Sequence, residues 1–208
     1  MTERRRFDSR IYQNLPQIVL GFHGCDQSVV DRVLTDPSMH LKPSKNSYDW
    51  LGNGVYFWLN DPQRAYEWAE AYAKRRPDVV KKPAVLGAVI DLGNCLNLCE
   101  REAILLLQKS YSDLSNAFAE LGLNIDTEVK NKWPDPGGFK ILRELDCLII
   151  EHGVSLVADQ GYKFDTVYGY FQEGEAAYPG SEIREKTHIQ IAVRNLDCIK
   201  GYFLPRHT

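Results

Sequence analysis

Strand-like runs open and close this chain, and helix-like segments lie between them. Ile18, Leu20 and Phe22 alternate with their neighbours at the period of two that indicates a strand. Further strand-like runs, separated by Gly, Pro and Asn, fill the last third of the chain at 164–171, 187–194 and 198–204. Because this order lacks a regular β-α alternation, it predicts an α+β fold with a mostly antiparallel or mixed sheet.

The middle of the chain mixes strand and helix signals. Residues 55–58 predict a short strand, and 84–90 predict a strand that is buried on both faces. Asp61-Pro62 predicts a helix start, since proline suits the first helical position. Apolar residues recur at helical spacing over 111–121, and 142–148 indicates a further helix.

The length of 208 residues is enough to bury one full core without disulfide bonds. We therefore expect a single domain over 1–208, with a basic N-terminal arm at 1–15 and a helical insertion at 95–155 whose role the pattern leaves open. The chain has five cysteines without a close CxxC pair, which favours free thiols in a reducing compartment. With no apolar run near roughly 18 residues and no leader pattern, we expect a cytoplasmic protein that does not engage a membrane.

The charge balance limits the classes of partner. Lys and Arg total 25 against 28 Asp and Glu, which argues against a wholly cationic surface clamped on nucleic acid. Two local basic clusters, 4–10 and 74–82, still leave RNA or DNA open as a partner.

Several common site motifs are absent from the sequence. It contains no phosphate-binding P-loop, no GxSxG nucleophile elbow, no HExxH zinc motif and no GxGxxG dinucleotide fingerprint. Gly52-Asn-Gly54 precedes a strand, whereas a Rossmann glycine loop must follow one. The scattered histidines and the single Cys95-x3-Cys99 spacing do not make a zinc site, so we expect no metal.

Three polar positions on predicted strands remain as candidates for chemistry. His23 ends the first strand and is followed by Gly24, which lets a ligand approach the backbone closely. Tyr56 follows the pair of glycines at 52 and 54. Along 188–194 the alternation places Gln190 away from the apolar side, and a mid-strand glutamine there needs hydrogen-bond partners.

These motifs resemble those of the ADP-ribosyltransferases of the diphtheria-toxin and poly(ADP-ribose) polymerase type. The family carries a His-Gly on its first strand, matched by His23-Gly24, and a Gly-x-Gly-φ-Tyr-Phe motif, matched by Gly52-Asn-Gly-Val-Tyr-Phe57. The stretch 60–66 is similar to the helix that follows. Aligning 195–199 with the segment after the family's catalytic strand places Gln190 where the family has a catalytic glutamate. The resemblance covers 17–75 and 164–204.

The resemblance implies a split NAD-binding sheet with peripheral helices and an NAD-dependent mono-ADP-ribosyltransferase that needs no metal. In the family pattern His23 would bind the ribose, the Gly24 backbone would grip the carboxamide, and Gln190 would hold the ribose 2′-OH. Tyr56 and Tyr66 would stack on the nicotinamide ring. The cofactor-binding set that it implies is His23, Gly24, Gly54, Tyr56, Tyr66 and Gln190, with His23, Tyr56 and Gln190 catalytic. The hypothesis of an NAD site requires the side chains at 23, 56 and 190 to converge on one nicotinamide-sized cleft.

Gln190 departs from the family pattern in a way that matters chemically. A neutral amide can orient the ribose but cannot stabilise positive charge as a carboxylate does, nor act as a base. The preceding loop is rich in carboxylates, and Glu185 is a candidate for the missing catalytic group. Without it, the acceptor must be nucleophilic by itself, and polymer elongation is disfavoured.

Family analogy suggests a bacterial toxin or phage-defence effector with a neutralising, antitoxin-like inhibitor protein, acting on a protein or on a nucleic acid such as RNA. The alternative is a weakly active or inactive module that binds NAD or ADP-ribose as a sensor. Each candidate also has an ordinary structural explanation: His23 and Tyr56 as core residues, Gln190 as a cross-strand partner, and Glu185 as a solvated loop charge.

Overall fold

The computed structural model describes residues 18–135 and 137–206, so the predicted arm at 1–15 lies outside the described residues. The first half of the chain alternates strands with two helices, and the second half holds three helices and the remaining strands. In chain order the elements are β1 (Ile18–Asp26), α1 (Gln27–Thr35), β2 (Val55–Leu59), α2 (Pro62–Arg75), β3 (Pro83–Asp91), β4 (Cys95–Asn97), α3 (Arg101–Glu120), α4 (Ile125–Glu128), β5 (Asn131–Pro134), β6 (Lys140–Arg143), α5 (Glu144–Ala158), β7 (Thr166–Phe171), β8 (His188–Val193) and β9 (Ile199–Phe203).

Seven strands form one sheet in the order β4-β7-β8-β2-β1-β3-β9, and β5 pairs with β6 separately. The β4–β7 pair is parallel, while the other neighbours in the large sheet are antiparallel. The predicted α+β fold with a mixed, mostly antiparallel sheet is therefore confirmed. Among the described residues, no helix is both long and apolar enough to span a bilayer.

The helices cover the two faces of the sheet unequally. On one face, α1 contributes Val30 and Val33 to a core with Phe57 of β2 and Leu86 of β3. On the other face, α2 packs over Phe22 and Trp58, while α3 and α5 pack over the β7 side of the sheet. Both faces are buried over most of the sheet, which explains why its central strands are nearly continuous in apolar residues.

The hydrogen-bonded ladder between β1 and β2 is short. It ends at Phe22 opposite Trp58, whereas β1 continues to pair with β3 as far as Asp26. The carbonyl oxygen of Leu20 accepts from the amide of Asn60, so even-numbered residues of β1 direct their backbone groups toward β2. By the same alternation, the backbone N–H and C=O of Gly24 point toward β2. They lie beyond Phe22 and Trp58, where the two strands no longer pair.

The middle of the chain differs from the sequence prediction. Residues 142–148 were expected to be helical, but residues 140–143 form β6 and α5 begins only at Glu144. The segment 95–155 is also not wholly helical, because β4 joins the large sheet and β5 and β6 form a hairpin. These strands are only three or four residues long, too short for a period of two to show in the sequence.

Gly24 has a packing role that yields a stability prediction. A Cβ at this position would collide with the carbonyl oxygen of Ala65 in α2, and helix backbone cannot move aside as a flexible side chain can. We expect Gly24→Ala to lower the free energy of unfolding by more than about 2 kcal/mol, measured by urea denaturation. Gly201→Ala, where a Cβ meets nothing within 4 Å, is the matched control. Equal losses in the two variants would contradict the packing.

Candidate functional site

The sheet order places the three predicted catalytic residues on three adjacent strands. Gln190 lies on β8, Tyr56 on β2 and His23 on β1, and these strands are consecutive neighbours. The residues are therefore brought together across the sheet although they are far apart in the chain.

The register determines which face of the sheet each side chain occupies. Tyr56 lies opposite Ala192 and Trp58 lies opposite Gln190, so Tyr56, Trp58 and Gln190 share one face. His23 lies opposite Leu86 of β3 and leaves β1 on the other face. The expectation that all three side chains converge on one cleft is therefore wrong in its simple form, because strict alternation along β1 turns the imidazole away from the face of Tyr56.

His23 contacts Tyr56 through the backbone instead of the side chain. Its Nδ1 lies 2.7 Å from the carbonyl oxygen of Tyr56, close to where the β1–β2 ladder ends. Burial lowers the pKa of His23, and this effect outweighs the hydrogen bond to Tyr56, which raises it. A neutral imidazole that donates Nδ1–H to a carbonyl keeps a bare lone pair on Nε2. That atom has no hydrogen-bond partner among the described residues, and His23 as a whole is only partly buried.

The hydroxyl of Tyr56 is engaged by its own loop. It accepts a hydrogen bond from the amide of Leu51 at 2.7 Å and donates one to the carbonyl oxygen of Gly52 at 2.7 Å. Burial raises the pKa of Tyr56, so the phenol stays protonated. The hydroxyl thus shapes the loop before β2, and only the ring of Tyr56 can contact a ligand.

Gln190 is 7% exposed and occupies the middle of β8 beside Trp58. Its side-chain amide makes no hydrogen bond with any side chain or backbone group in the described part of the chain, although a buried amide normally requires one. Within the described residues, the amide therefore keeps its donor and acceptor capacity for a ligand hydroxyl.

The remaining predicted residues, Gly24, Gly54 and Tyr66, differ in their surroundings. The space in front of Gly24 is filled by α2, so a ligand can use only its in-plane backbone groups. Gly54 packs against the backbone of Val193, which assigns it a structural role. Tyr66 is 38% exposed on α2 and has no aromatic partner among the described residues.

Glu185 lies in the loop between β7 and β8. It is exposed and lines a cavity of about 440 Å³ together with three other carboxylates, those of Asp135, Glu173 and Glu175. Within the described residues, no contact links its carboxylate to Gln190.

One carboxylate that the sequence pattern did not reveal, that of Glu151, organises the loop before β2. Glu151 of α5 accepts hydrogen bonds from Asn53, through both its amide and its side chain, at 2.8 Å. It also forms a bidentate ion pair with Arg194 at the end of β8. Burial raises the pKa of Glu151, but the bonds from Arg194 and Asn53 outweigh it, so the pKa is lowered overall. Alternation along 188–194 had placed Arg194 opposite the apolar side, but no local pattern identifies a partner 43 residues away.

A second unanticipated group lies near the other end of β8. The side-chain atoms Trp58 Nε1, Arg64 Nε and His188 Nε2 are all buried without a hydrogen-bond partner in the described structure. Trp58 and His188 have ring centroids 6.3 Å apart. Unpartnered buried nitrogens are uncommon in folded proteins, and each calls for an explanation.

Neither of the two cavities that stand out in the described structure is lined by His23, Tyr56 or Gln190. The larger, of about 530 Å³, lies between α3 and α5 and is mostly apolar, with Arg143 and Asp146 among its lining residues. Within 18–135 and 137–206, no group of three His, Cys, Asp or Glu side chains is arranged to hold a metal ion.

No protein-family model matches the chain, and no curated protein matches it significantly.

The partly buried imidazole of His23, whose pKa is lowered by desolvation, makes stability depend on pH. Below the ordinary histidine pKa of 6.5, the unfolded chain takes up a proton that folded His23 resists, so the free energy of unfolding falls as the pH drops. We expect this loss between about pH 7.5 and about pH 5.5 to be smaller in His23→Gln than in the parent protein. Denaturant titrations at several pH values measure it, with exposed His40→Gln as the control. An unchanged pH slope in His23→Gln would contradict the assignment.

Proposed function

We propose that the protein is a mono-ADP-ribosyltransferase that cleaves the bond between nicotinamide and ribose in NAD and transfers ADP-ribose to a macromolecule. The observation that carries the proposal is the end of the β1–β2 ladder at Phe22 and Trp58. Beyond it, the backbone N–H and C=O of Gly24 have no partner toward β2 among the described residues, and the imidazole of His23 contacts the strand of Tyr56 through Nδ1, which leaves Nε2 bare. A split between two central strands is also what the resemblance to this family implies.

The groups where β1 and β2 separate suit both the carboxamide and the ribose of nicotinamide riboside. A carboxamide has one donor and one acceptor, as does the backbone of Gly24, so the two can form a reciprocal pair of hydrogen bonds. Nε2 of His23 can accept a hydrogen bond from a ribose hydroxyl because Nδ1 holds the proton. On the face of Tyr56, the amide of Gln190 can orient the ribose 2′-OH. This division puts His23 and Gln190 on opposite sides of the ligand, which replaces the single cleft expected from the sequence.

The chemistry demands little of the protein beyond positioning. The glycosidic bond breaks with its electron pair going to the nicotinamide nitrogen, and positive charge develops on the ribose. Orientation and fixed dipoles lower the barrier of such a reaction. Because Gln190 is neutral, it stabilises this charge less than a carboxylate would, and we expect slow turnover.

The acceptor and the biological setting are further parts of the proposal. By analogy with the family, the acceptor is a protein or a nucleic acid such as RNA, and it receives a single ADP-ribose. The same analogy suggests a toxin or defence effector that is held in check by a protein inhibitor.

A second candidate is a module that binds NAD or ADP-ribose without reaction. Two observations favour it: the amide of Gln190 in place of a carboxylate, and the engagement of the Tyr56 hydroxyl by its own loop. Binding without nicotinamide release is the outcome that selects this candidate.

The test is nicotinamide release from NAD by the purified full chain with cell extract as the source of acceptor. We expect slow but measurable release, reduced at least about tenfold in His23→Ala because the ribose loses a hydrogen-bond partner. Gln190→Glu should raise release about tenfold by adding a negative charge beside the ribose. Adenylate-labelled NAD then identifies the acceptor by whether protease or nuclease removes the label.

Exposed His40→Ala is the matched control and should retain the parent rate. If the protein binds NAD but releases no nicotinamide with extract present, the second candidate replaces the first. If it binds no NAD and releases none, both fail.

A further inference from the structure

His188 and two neighbours leave polar atoms unsatisfied on the face of the sheet that carries Gln190. Nε2 of His188, Nε1 of Trp58 and Nε of Arg64 are buried and have no hydrogen-bond partner among the described residues. His188 is only 6% exposed, so water does not supply the missing partner from the surface. His188 Nε2 thus lacks a hydrogen-bond donor, and the N–H groups of Trp58 and Arg64 lack an acceptor.

His188 and Gln190 are two residues apart on β8, so their side chains leave the same face about 7 Å apart along the strand. The imidazole is held among aromatic rings, with Trp50 stacked on it at a centroid distance of 6.1 Å and Phe171 at 5.9 Å. Packing of this kind fixes the direction of Nε2, as precise proton transfer requires.

The tautomer of His188 follows from its other nitrogen. Nδ1 lies 2.6 Å from the carbonyl oxygen of Lys186, to which it donates, so Nε2 carries a bare lone pair. Burial lowers the pKa of His188, although its bond to Lys186 raises it. The charged groups facing the ring are Arg64 and Asp61 at the start of α2 and Glu173 of the β7–β8 loop. The lowered pKa keeps the ring neutral at pH 7, which is the form that a proton acceptor must have.

We propose that His188 is the general base of the transfer reaction and receives the proton of the acceptor on Nε2; this rests on the proposed function. The acceptor's oxygen or nitrogen forms a bond to C1′ of the ribose, while the bond from C1′ to the nicotinamide nitrogen breaks and its electron pair leaves with nicotinamide. The acceptor's proton passes to Nε2 and later to water. His188 thereby supplies the proton acceptor that the amide of Gln190 cannot be.

A base at this position selects a class of acceptor. A hydroxyl or an amine must lose a proton when it attacks, whereas a carboxylate or phosphate arrives already ionised and needs no base. The acceptor is thus a hydroxyl or amine. In the described structure the Arg64–Glu173 ion pair of 2.8 Å joins α2 to the β7–β8 loop beside His188, so the proposal requires this pair to open before an acceptor can reach Nε2.

The test compares the parent protein with His188→Gln in nicotinamide release from NAD, with cell extract as the source of acceptor. We expect His188→Gln to lower kcat by about 100-fold with little change in the KM for NAD, because a base acts on the acceptor and not on NAD binding. Sodium azide should restore release in His188→Gln and form ADP-ribosyl azide, since the azide anion has no proton to lose. The parent kcat should fall at low pH through one ionisation that His188→Gln lacks.

The matched control is His152→Gln, because His152 Nε2 is also buried and without a partner in the described part of the chain, but lies on α5 and not on β8. It should keep the parent kcat. If the parent releases nicotinamide but His188→Gln does so at an equal rate, or loses NAD binding together with kcat, or is not rescued by azide, the assignment of the base is overturned while the proposed function stands. If the parent releases no nicotinamide, both are overturned.

Discussion

Helix α2 packs directly on the backbone of β1 at Gly24, where the carbonyl oxygen of Ala65 takes the place of a side chain. The same helix follows β2 after only two residues, so it ties the two strands to each other from one face. At Gly24 the hydrogen-bonded ladder between these strands has already ended. The carbonyl oxygen of Tyr56 is therefore bonded to the side chain of His23 and not to a backbone amide of β1. The proposed NAD site depends on this local separation of two strands that are otherwise neighbours in a closely packed sheet.

The two histidines that the proposal uses are built alike. Each donates Nδ1–H to a backbone carbonyl, that of Tyr56 for His23 and that of Lys186 for His188, and each has its pKa lowered by burial. Both rings therefore present an unprotonated Nε2. They leave their strands on opposite faces, with Gln190 on the face of His188, so the ribose would lie between a hydrogen-bond acceptor on one side and an amide and a base on the other.

The sequence allowed the fold class and the strands of the candidate site to be predicted, because β1 and β8 show a period of two and β2 is a short apolar run that directly follows two glycines. It did not predict that His23 lies on the opposite face of the sheet from Tyr56, because this depends on the register between β1 and β2 and on where their ladder ends. Short strands such as β6 were missed for lack of a repeat. The partnership of Glu151 with Arg194 and the unsatisfied nitrogen of His188 depend on contacts between distant parts of the chain, which no local spacing encodes.

The most direct measurement is an NMR titration of the ¹⁵N-labelled full chain with NAD, following the Nε2 resonance of His23 and the amide of Gly24. If NAD binds where β1 and β2 separate, both signals shift with one saturable midpoint, while the amide of Gly201 on β9 stays in place. Saturable shifts confined to the apolar cavity between α3 and α5, or no shift at any NAD concentration, would contradict the proposed site.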